Sequence, residues 1–342
     1  MGWFIAGQEL YFRSREKLEI KWGGLINGLM EPREKFMSVV VPLYNEELVI
    51  EEMHKRLTTV LDKAGFEYEI LMVNDGSKDR TVELAKRICR EDKRIKLISF
   101  SRNFGHQIAI TAGMDRSDGQ VIVIIDADLQ DPPEVILDMV EKWKQGYQVV
   151  FGTRAKRRGE GIFKLATANI FYRFLKKITN VEIPVDTGDF RLMDAKVVSQ
   201  LKVMKEKNRF VRGMVSWVGF RQAKVEYIRE ERFAGETKYP LTKMVKFALD
   251  GIFSFSQIPL KIATSFGLIF SVISFIYLLY GMGLKIFFQG KDIQSWHYIL
   301  IAIGFLVGIQ LMTIGIMGEY IGRIYEETKN RPIYVVDEEI NF

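Results

Sequence analysis

The chain has 342 residues, 48% hydrophobic and 27% charged, with a net charge of +6. That is enough for one large domain or two, and it excludes both a disordered chain and a uniformly apolar one. A single cysteine, Cys89, excludes an internal disulfide and fits a reducing compartment.

Residues 1–36 show no strong periodicity. "MGWFIAG" is apolar, but it has no basic n-region and is too short for the h-region of a signal peptide. From Met37 the pattern is regular. Apolar runs rich in Val and Ile at 38–44, 68–75, 95–101, 121–126 and 148–152 predict strands. Segments of helical spacing lie between them, near 46–63, 78–92, 105–117 and 133–145. Near-continuous apolar strands alternating with helices predict an α/β fold with a mostly parallel, Rossmann-like sheet covered on both faces.

The second half changes character. Residues 162–178 and 241–255 are amphipathic at helical spacing. The first packs on the core or lies at a membrane surface. The second runs into an uncharged stretch and is expected at the interface. Residues 262–284 and 293–318 contain no Asp, Glu, Lys or Arg. Each exceeds the roughly 20 residues that a helix needs to cross a bilayer. Two transmembrane helices joined by a short loop are therefore expected, at about 260–285 and 296–320.

The loop carries only Lys285 and Lys291, whereas the outer flanks carry Lys238, Lys243, Lys246, Lys261, Arg323, Lys329 and Arg331. The positive-inside rule then puts both termini in the cytoplasm. With spans present, the positive net charge points to lipid headgroups rather than nucleic acid. The expected plan is an extension (1–36), an α/β domain (37–235), a juxtamembrane segment (236–257), the membrane pair (258–325) and a cytoplasmic tail (326–342).

In an open parallel sheet, ligands bind beyond the carboxyl ends of the strands. Here four such ends are polar: Pro42 to Glu47, Asn74 to Ser77, Ser101 to Gly105, and Asp126 to Gln130. In an extended segment Asp126 and Asp128 point the same way. Two adjacent carboxylates repel unless a cation lies between them. Oxygen ligands alone suit Mg²⁺ or Mn²⁺ rather than zinc. His54, His106 and His297 are dispersed and form no soft-metal site. Asp131 and Pro132 read as the cap and first-turn proline of the next helix. No G-x-G-x-x-G follows the first strand and no G-x-x-x-x-G-K-[ST] exists, which argues against a dinucleotide oxidoreductase and a P-loop NTPase.

"VPLYNEE", "VNDGSKDRT", "SRNFGHQ" and "DADLQDPPE", in this order, resemble the signature of family-2 glycosyltransferases of the GT-A fold. With "GTR" (152–154), "TGDFRL" (187–192), "RFAGETKYP" (232–240) and the paired spans, they are similar to the polyprenyl-phosphate glycosyltransferases, relatives of dolichol-phosphate mannose synthase and bacterial undecaprenyl-phosphate glucosyltransferases. The resemblance covers about 38–330 and leaves out the first 36 residues.

It implies that Pro42, Tyr44, Glu46 and Asp75, with Asp126, hold the nucleotide. It implies that Asp126, Asp128 and Gln130 bring Mg²⁺ or Mn²⁺ to the diphosphate, and that Asp189, with Asp128, serves the reacting centre. Arg154 would meet the acceptor phosphate, with Arg212, Arg232 and Lys238 as further candidates. The implied partners are a nucleotide sugar, UDP-glucose before GDP-mannose, UDP-N-acetylglucosamine or a modified arabinose donor, and a polyprenyl phosphate, undecaprenyl before dolichyl. The implied place is a bacterial inner membrane.

A phosphate monoester with a second pKa near 6 is largely dianionic at neutral pH and needs little help from a base. Asp189 is therefore expected mainly to position sugar or acceptor, and the single displacement to invert the anomeric centre. Two rivals stand beside this reading. A processive polysaccharide synthase would carry Q-x-x-R-W, which is absent, and a non-catalytic membrane scaffold would be expected to lose an acid of the D-x-D. Gly267, Gly304, Gly308, Gly315 and Gly318 permit close helix packing and a homo-oligomer.

Overall fold

A computed structural model describes residues 36–154, 187–230, 260, 263–269, 272–273, 276 and 296–342. The extension, both amphipathic segments and most of the first expected span lie outside the described residues, as do Arg232 and Lys238.

The described elements are β1 (Met37–Leu43), α1 (Ile50–Ala64), β2 (Tyr68–Asn74), α2 (Thr81–Glu91), β3 (Ile95–Phe100), α3 (His106–Asp115), β4 (Val121–Ile124), α4 (Val135–Lys144) and β5 (Val149–Arg154). They continue with β6 (Thr187–Asp194), α5 (Ala195–Val203), α6 (Val211–Trp217), β7 (Gln222–Tyr227), α7 (Trp296–Thr328) and β8 (Val336–Ile340). One eight-stranded sheet runs β7-β5-β6-β4-β1-β2-β3-β8. β1 pairs in parallel with β2 and β4, and β3 with β2. β6 is antiparallel to both β4 and β5, and β8 is antiparallel to β3.

The alternation along the strands divides the core. Met37, Val39, Val41, Leu43, Ile70, Met72, Val121 and Val123 face one layer with α1, α2 and α4. Val40, Leu71, Val73, Ile98, Ile122 and Ile124 face the other with α3, α5 and α6. α1 buries Ile50, Met53, Leu57, Val60 and Leu61, a helical stripe, and stops at Gly65, whose φ of 68° is the left-handed conformation of a helix C-terminus.

Two expectations need correction. Residues 336–340 are not part of a tail: they form the edge strand β8 beside β3. Tyr334 stacks on Phe100 with ring centroids 5.1 Å apart, and its hydroxyl donates to Asp115 at 3.2 Å. Asp131 does not cap the next helix. α4 begins at Val135 after Glu134, with no side-chain cap. Asp131 is buried and accepts a hydrogen bond from the Tyr227 hydroxyl.

α7 is a helix of 33 residues that contains residues 296–318 of the second uncharged stretch. Among the described residues no helix is long and apolar enough to cross a membrane. Several side chains in the first turns of α7 lie outside the description. Leu306, Val307, Leu311, Met312, Ile314, Met317, Ile321 and Ile324 are exposed along it. At its end, the Lys207 backbone N–H donates to Glu327 Oε1 at 2.8 Å and ties the helix to the α5–α6 loop.

Candidate active site

The loops that follow β1, β2 and β3 are fastened to one another. Asn45, at φ 53°, accepts the Lys78 N–H at 2.8 Å and donates its own N–H to Ser77 Oγ at 3.0 Å. The Glu46 N–H donates to Thr81 Oγ1 at 2.8 Å. Gly76, at φ 67°, lies so close to the β3–α3 loop that a Cβ there would stand 2.5 Å from Arg102 C and Asn103 N. Only glycine suits both the conformation and the approach.

Asp75 closes the group. Its carboxylate accepts the Phe104 N–H at 2.6 Å and the Gly105 N–H at 3.0 Å. Burial raises its pKa, and the two backbone donors partly offset this. Pro42, near the end of β1, is buried beside Val73, and Tyr44 and Glu46 follow on the partly exposed loop. The residues expected to hold a nucleotide thus share one end of the sheet.

The aspartate pair lies just beyond β4, which ends at Ile124. Asp128 stands in a turn rather than an extended segment, which corrects the period-two argument for that residue. The turn depends on Leu129, a buried residue at φ 59°, a conformation that costs a bulky side chain energy. It brings the Gln130 N–H back to Asp128 Oδ1 at 3.2 Å. The chain beyond is clamped by Arg56, which donates to Glu134 at 2.9 Å and to Glu230 at 2.7 Å.

Asp189 arrives from β6. That strand pairs Ile124 with Arg191 and Val123 with Leu192 in antiparallel register. Carried two residues further, the same register sets Asp126 opposite Asp189. Between them stands His106, the first residue of α3, its Nε2 3.5 Å from Asp126 Oδ1 and 3.3 Å from Asp189 Oδ2. Arg212 of α6 donates Nε to Asp189 Oδ1 at 2.8 Å and Nη2 to Oδ2 at 3.2 Å. Gln107 donates Nε2 to Oδ2 at 3.1 Å. Buried Arg191 donates to the carbonyls of Asp189 and Gly188 at 3.3 and 3.0 Å.

The charges follow from this packing. Burial pushes the Asp189 carboxyl up, but the Arg212 guanidinium and His106 outweigh it and hold the group well below the usual carboxylate range. Burial would lower His106; Asp126 and Asp189 together raise it to about 9. Asp126 is pushed up to about 6, chiefly by burial and then by Asp131, Asp189 and Asp128, with His106 opposing. Its Oδ1 is buried and has no hydrogen-bond partner among the described residues. Such an oxygen suits a cation better than it suits a stable core.

A family model described as "Glycosyl transferase family 2" matches residues 38–202. An uncharacterised glycosyltransferase of Bacillus subtilis, YkcC, is 56% identical over 299 residues, 87% of this chain and 92% of that protein. This chain belongs to glycosyl transferase family 2. Another relative, the bactoprenol glucosyl transferase of Shigella phage SfII, is 42% identical over 300 residues, 88% of this chain and 97% of that protein. Among solved structures, glucosyl-3-phosphoglycerate synthase from Mycobacterium tuberculosis is similar at 18% identity and a TM-score of 0.44, over 64% of this chain and 78% of that one.

In this family-2 glycosyltransferase Pro42, Tyr44, Glu46 and Asp75 lie at the linked ends of β1 and β2, Asp126, Asp128 and Gln130 follow β4, and Asp189 meets Arg212 directly and Asp126 by way of His106. Arg212, expected at an acceptor phosphate, points two of its donors at Asp189. Arg154 ends β5 opposite Tyr227, and its side chain lies outside the description. His106, Gln107 and Arg191 are members of the site that the sequence reading did not assign. A signal for the first two was present, since "HQ" directly follows the polar end of β3.

Proposed function

We propose that this glycosyltransferase moves glucose from UDP-glucose to a polyprenyl phosphate, undecaprenyl phosphate in a bacterial membrane, with inversion at the anomeric carbon. The observation that carries the reading is the facing pair, Asp126 beyond β4 and Asp189 on β6, at the sheet end that also gathers Asp75 and Glu46. The likeness to the phage bactoprenol glucosyl transferase supports the choice of glucose and of a bactoprenol acceptor.

Asp126 and Asp128 would hold Mg²⁺ or Mn²⁺, which supplies charge stabilisation for a departing nucleoside diphosphate. The remaining ligands would come from the donor diphosphate and water. Pro42, Tyr44, Glu46 and Asp75 bind and orient the nucleotide. Asp189, fixed and anionic, faces the sugar and favours positive charge developing at the anomeric carbon. The acceptor is already anionic, so no side chain has to remove a proton from it. Arg154, Arg232 and Lys238 would draw in its phosphate.

The membrane placement has a topological support. β7 and β8 belong to one sheet, so the chain between them begins and ends at the α/β domain. Any crossings in that stretch therefore come in pairs, as a hairpin of two spans does. If the hydrocarbon ends near Gly318, α7 carries Glu327 about 13 Å beyond it, where Glu327 meets Lys207. That would hold the domain against the membrane surface, where a lipid phosphate is within reach.

The test is transfer of radiolabel from UDP-glucose into an organic-extractable lipid by the full chain, with undecaprenyl phosphate and Mg²⁺ or Mn²⁺. GDP-mannose and UDP-N-acetylglucosamine run beside it. A β-linked glucosyl lipid is expected. Label in a long water-soluble polymer would favour a processive synthase, and no transfer from any donor would favour a scaffold.

A further inference from the structure

We infer that Gln107 is a positioning residue for the transfer reaction, a role that rests on the reading of this site as a glycosyl-transfer centre. The orientation of its amide is fixed by its partners. Oε1 accepts the Val211 N–H at 3.0 Å, and a backbone N–H can only donate. Nε2 must then face Asp189 Oδ2, 3.1 Å away. Val211 opens α6, and the next residue, Arg212, supplies the two-pronged partner of Asp189. One side chain therefore fixes both the carboxylate and the helix that carries its guanidinium.

The remaining contacts show why this position matters. Three donors, from Arg212, Gln107 and His106, converge on Asp189 Oδ2, while Oδ1 takes the Arg212 Nε–H. Asp189 is thereby held as a placed anion, and its direction toward the sugar is the property that Gln107 controls. Gln107 also sits two residues beyond Gly105, whose N–H binds Asp75. A stretch of three residues thus links the nucleotide end of the site to the sugar end.

The test uses the detergent-solubilised full chain with UDP-glucose and undecaprenyl phosphate, and compares Gln107→Glu with Gln107→Leu. Gln107→Glu keeps an acceptor for the Val211 N–H but turns a carboxylate toward Asp189. Loss of a hydrogen bond to a charged group predicts a fall in kcat of about 10- to 100-fold at neutral pH, with KM for UDP-glucose near the wild-type value. As the pH is lowered the introduced carboxyl gains a proton and can donate again, so the ratio of variant to wild-type kcat should recover. A merely structural role would lower the melting temperature and leave that ratio flat.

Hydrogen exchange of the 204–217 segment supplies a readout without turnover. It should quicken in Gln107→Leu, which removes the Val211 acceptor, and stay near wild type in Gln107→Glu. Wild-type kcat in both variants with unchanged exchange overturns the inference. If the wild type itself transfers no sugar, the reading of the reaction fails and the catalytic role of Gln107 falls with it; an exchange contrast would then show only that Gln107 holds the start of α6.

Discussion

Arg212 grips Asp189 with two prongs, Nε to Oδ1 at 2.8 Å and Nη2 to Oδ2 at 3.2 Å, where the carboxylate side chain is 6% exposed. A lysine reproduces the charge but not the fork. Arg212→Lys is expected to keep the fold and to lower kcat by about tenfold or more. Arg212→Ala leaves a buried carboxylate short of its main partner and should cost about 3–5 kcal/mol of stability. Because the folded-state pKa of Asp189 is depressed, its stabilising share is complete above about pH 4 and is lost only as the pH falls below that. The pair should therefore not shape the activity profile near neutrality. An Arg212→Lys variant with wild-type kcat would remove Asp189 from the mechanism.

The buried Oδ1 of Asp126 and the strained turn at Leu129 are features that a protein retains for a ligand rather than for stability. Chelation with EDTA should abolish transfer, and Mg²⁺ or Mn²⁺ should restore it. Asp126→Asn and Asp128→Asn should each weaken Mn²⁺ binding in the presence of UDP, measured by electron paramagnetic resonance, while the melting temperature stays the same or rises. Full turnover after exhaustive chelation would rule out the metal.

The C-terminal strand makes a separate claim. Val335 O accepts the Ser101 N–H at 3.1 Å, at the start of the loop that binds Asp75. Truncation after Arg331 strips the edge from β3 and uncovers Phe100, leaving an open strand edge of the kind that associates. Lower melting temperature, aggregation in detergent and a raised KM for the nucleotide sugar are expected. Tyr334→Phe keeps the ring stack and loses only the bond to Asp115, so it should cost about 1 kcal/mol. A truncated chain with unchanged KM would sever the strand from the site.

The parts legible in the sequence were those with a local signature. β1 to β5 announce themselves because a strand buried on both faces is apolar throughout, and the polar strand ends follow from that. β8 was missed because "VDEEI" is an edge strand, half exposed and rich in acid, with no apolar run to find. The Asp126–Asp189 pairing was illegible for another reason. It depends on β6 running antiparallel between β4 and β5, a long-range register that no local pattern encodes. Asp131 looked like a cap because Asp-Pro often is one; the chain instead buries it under Tyr227. His106 has no other histidine near it in the sequence, and its partners, Asp126 and Asp189, are carboxylates brought in beyond β4 and on β6.

His54 gives a test away from the reaction. It lies half-buried on α1, and its Nε2 has no hydrogen-bond partner among the described residues. Burial lowers its pKa, against the pull of Asp92 and Glu91 and of the more weakly felt Asp62, while Arg94 adds to the lowering. The unfolded chain therefore takes up this proton first. The neutral imidazole favours the folded state above the ordinary value of about 6.5, and that advantage drains away as the pH falls through and below it. His54→Gln removes the titration and keeps a polar side chain of similar reach. The drop in melting temperature between pH 7.5 and pH 5.5 should be smaller in the variant than in the wild type, with little difference between the two above neutrality. Equal drops in both proteins would mean that His54 is equally accessible to protons in the folded and unfolded chain, contrary to its burial.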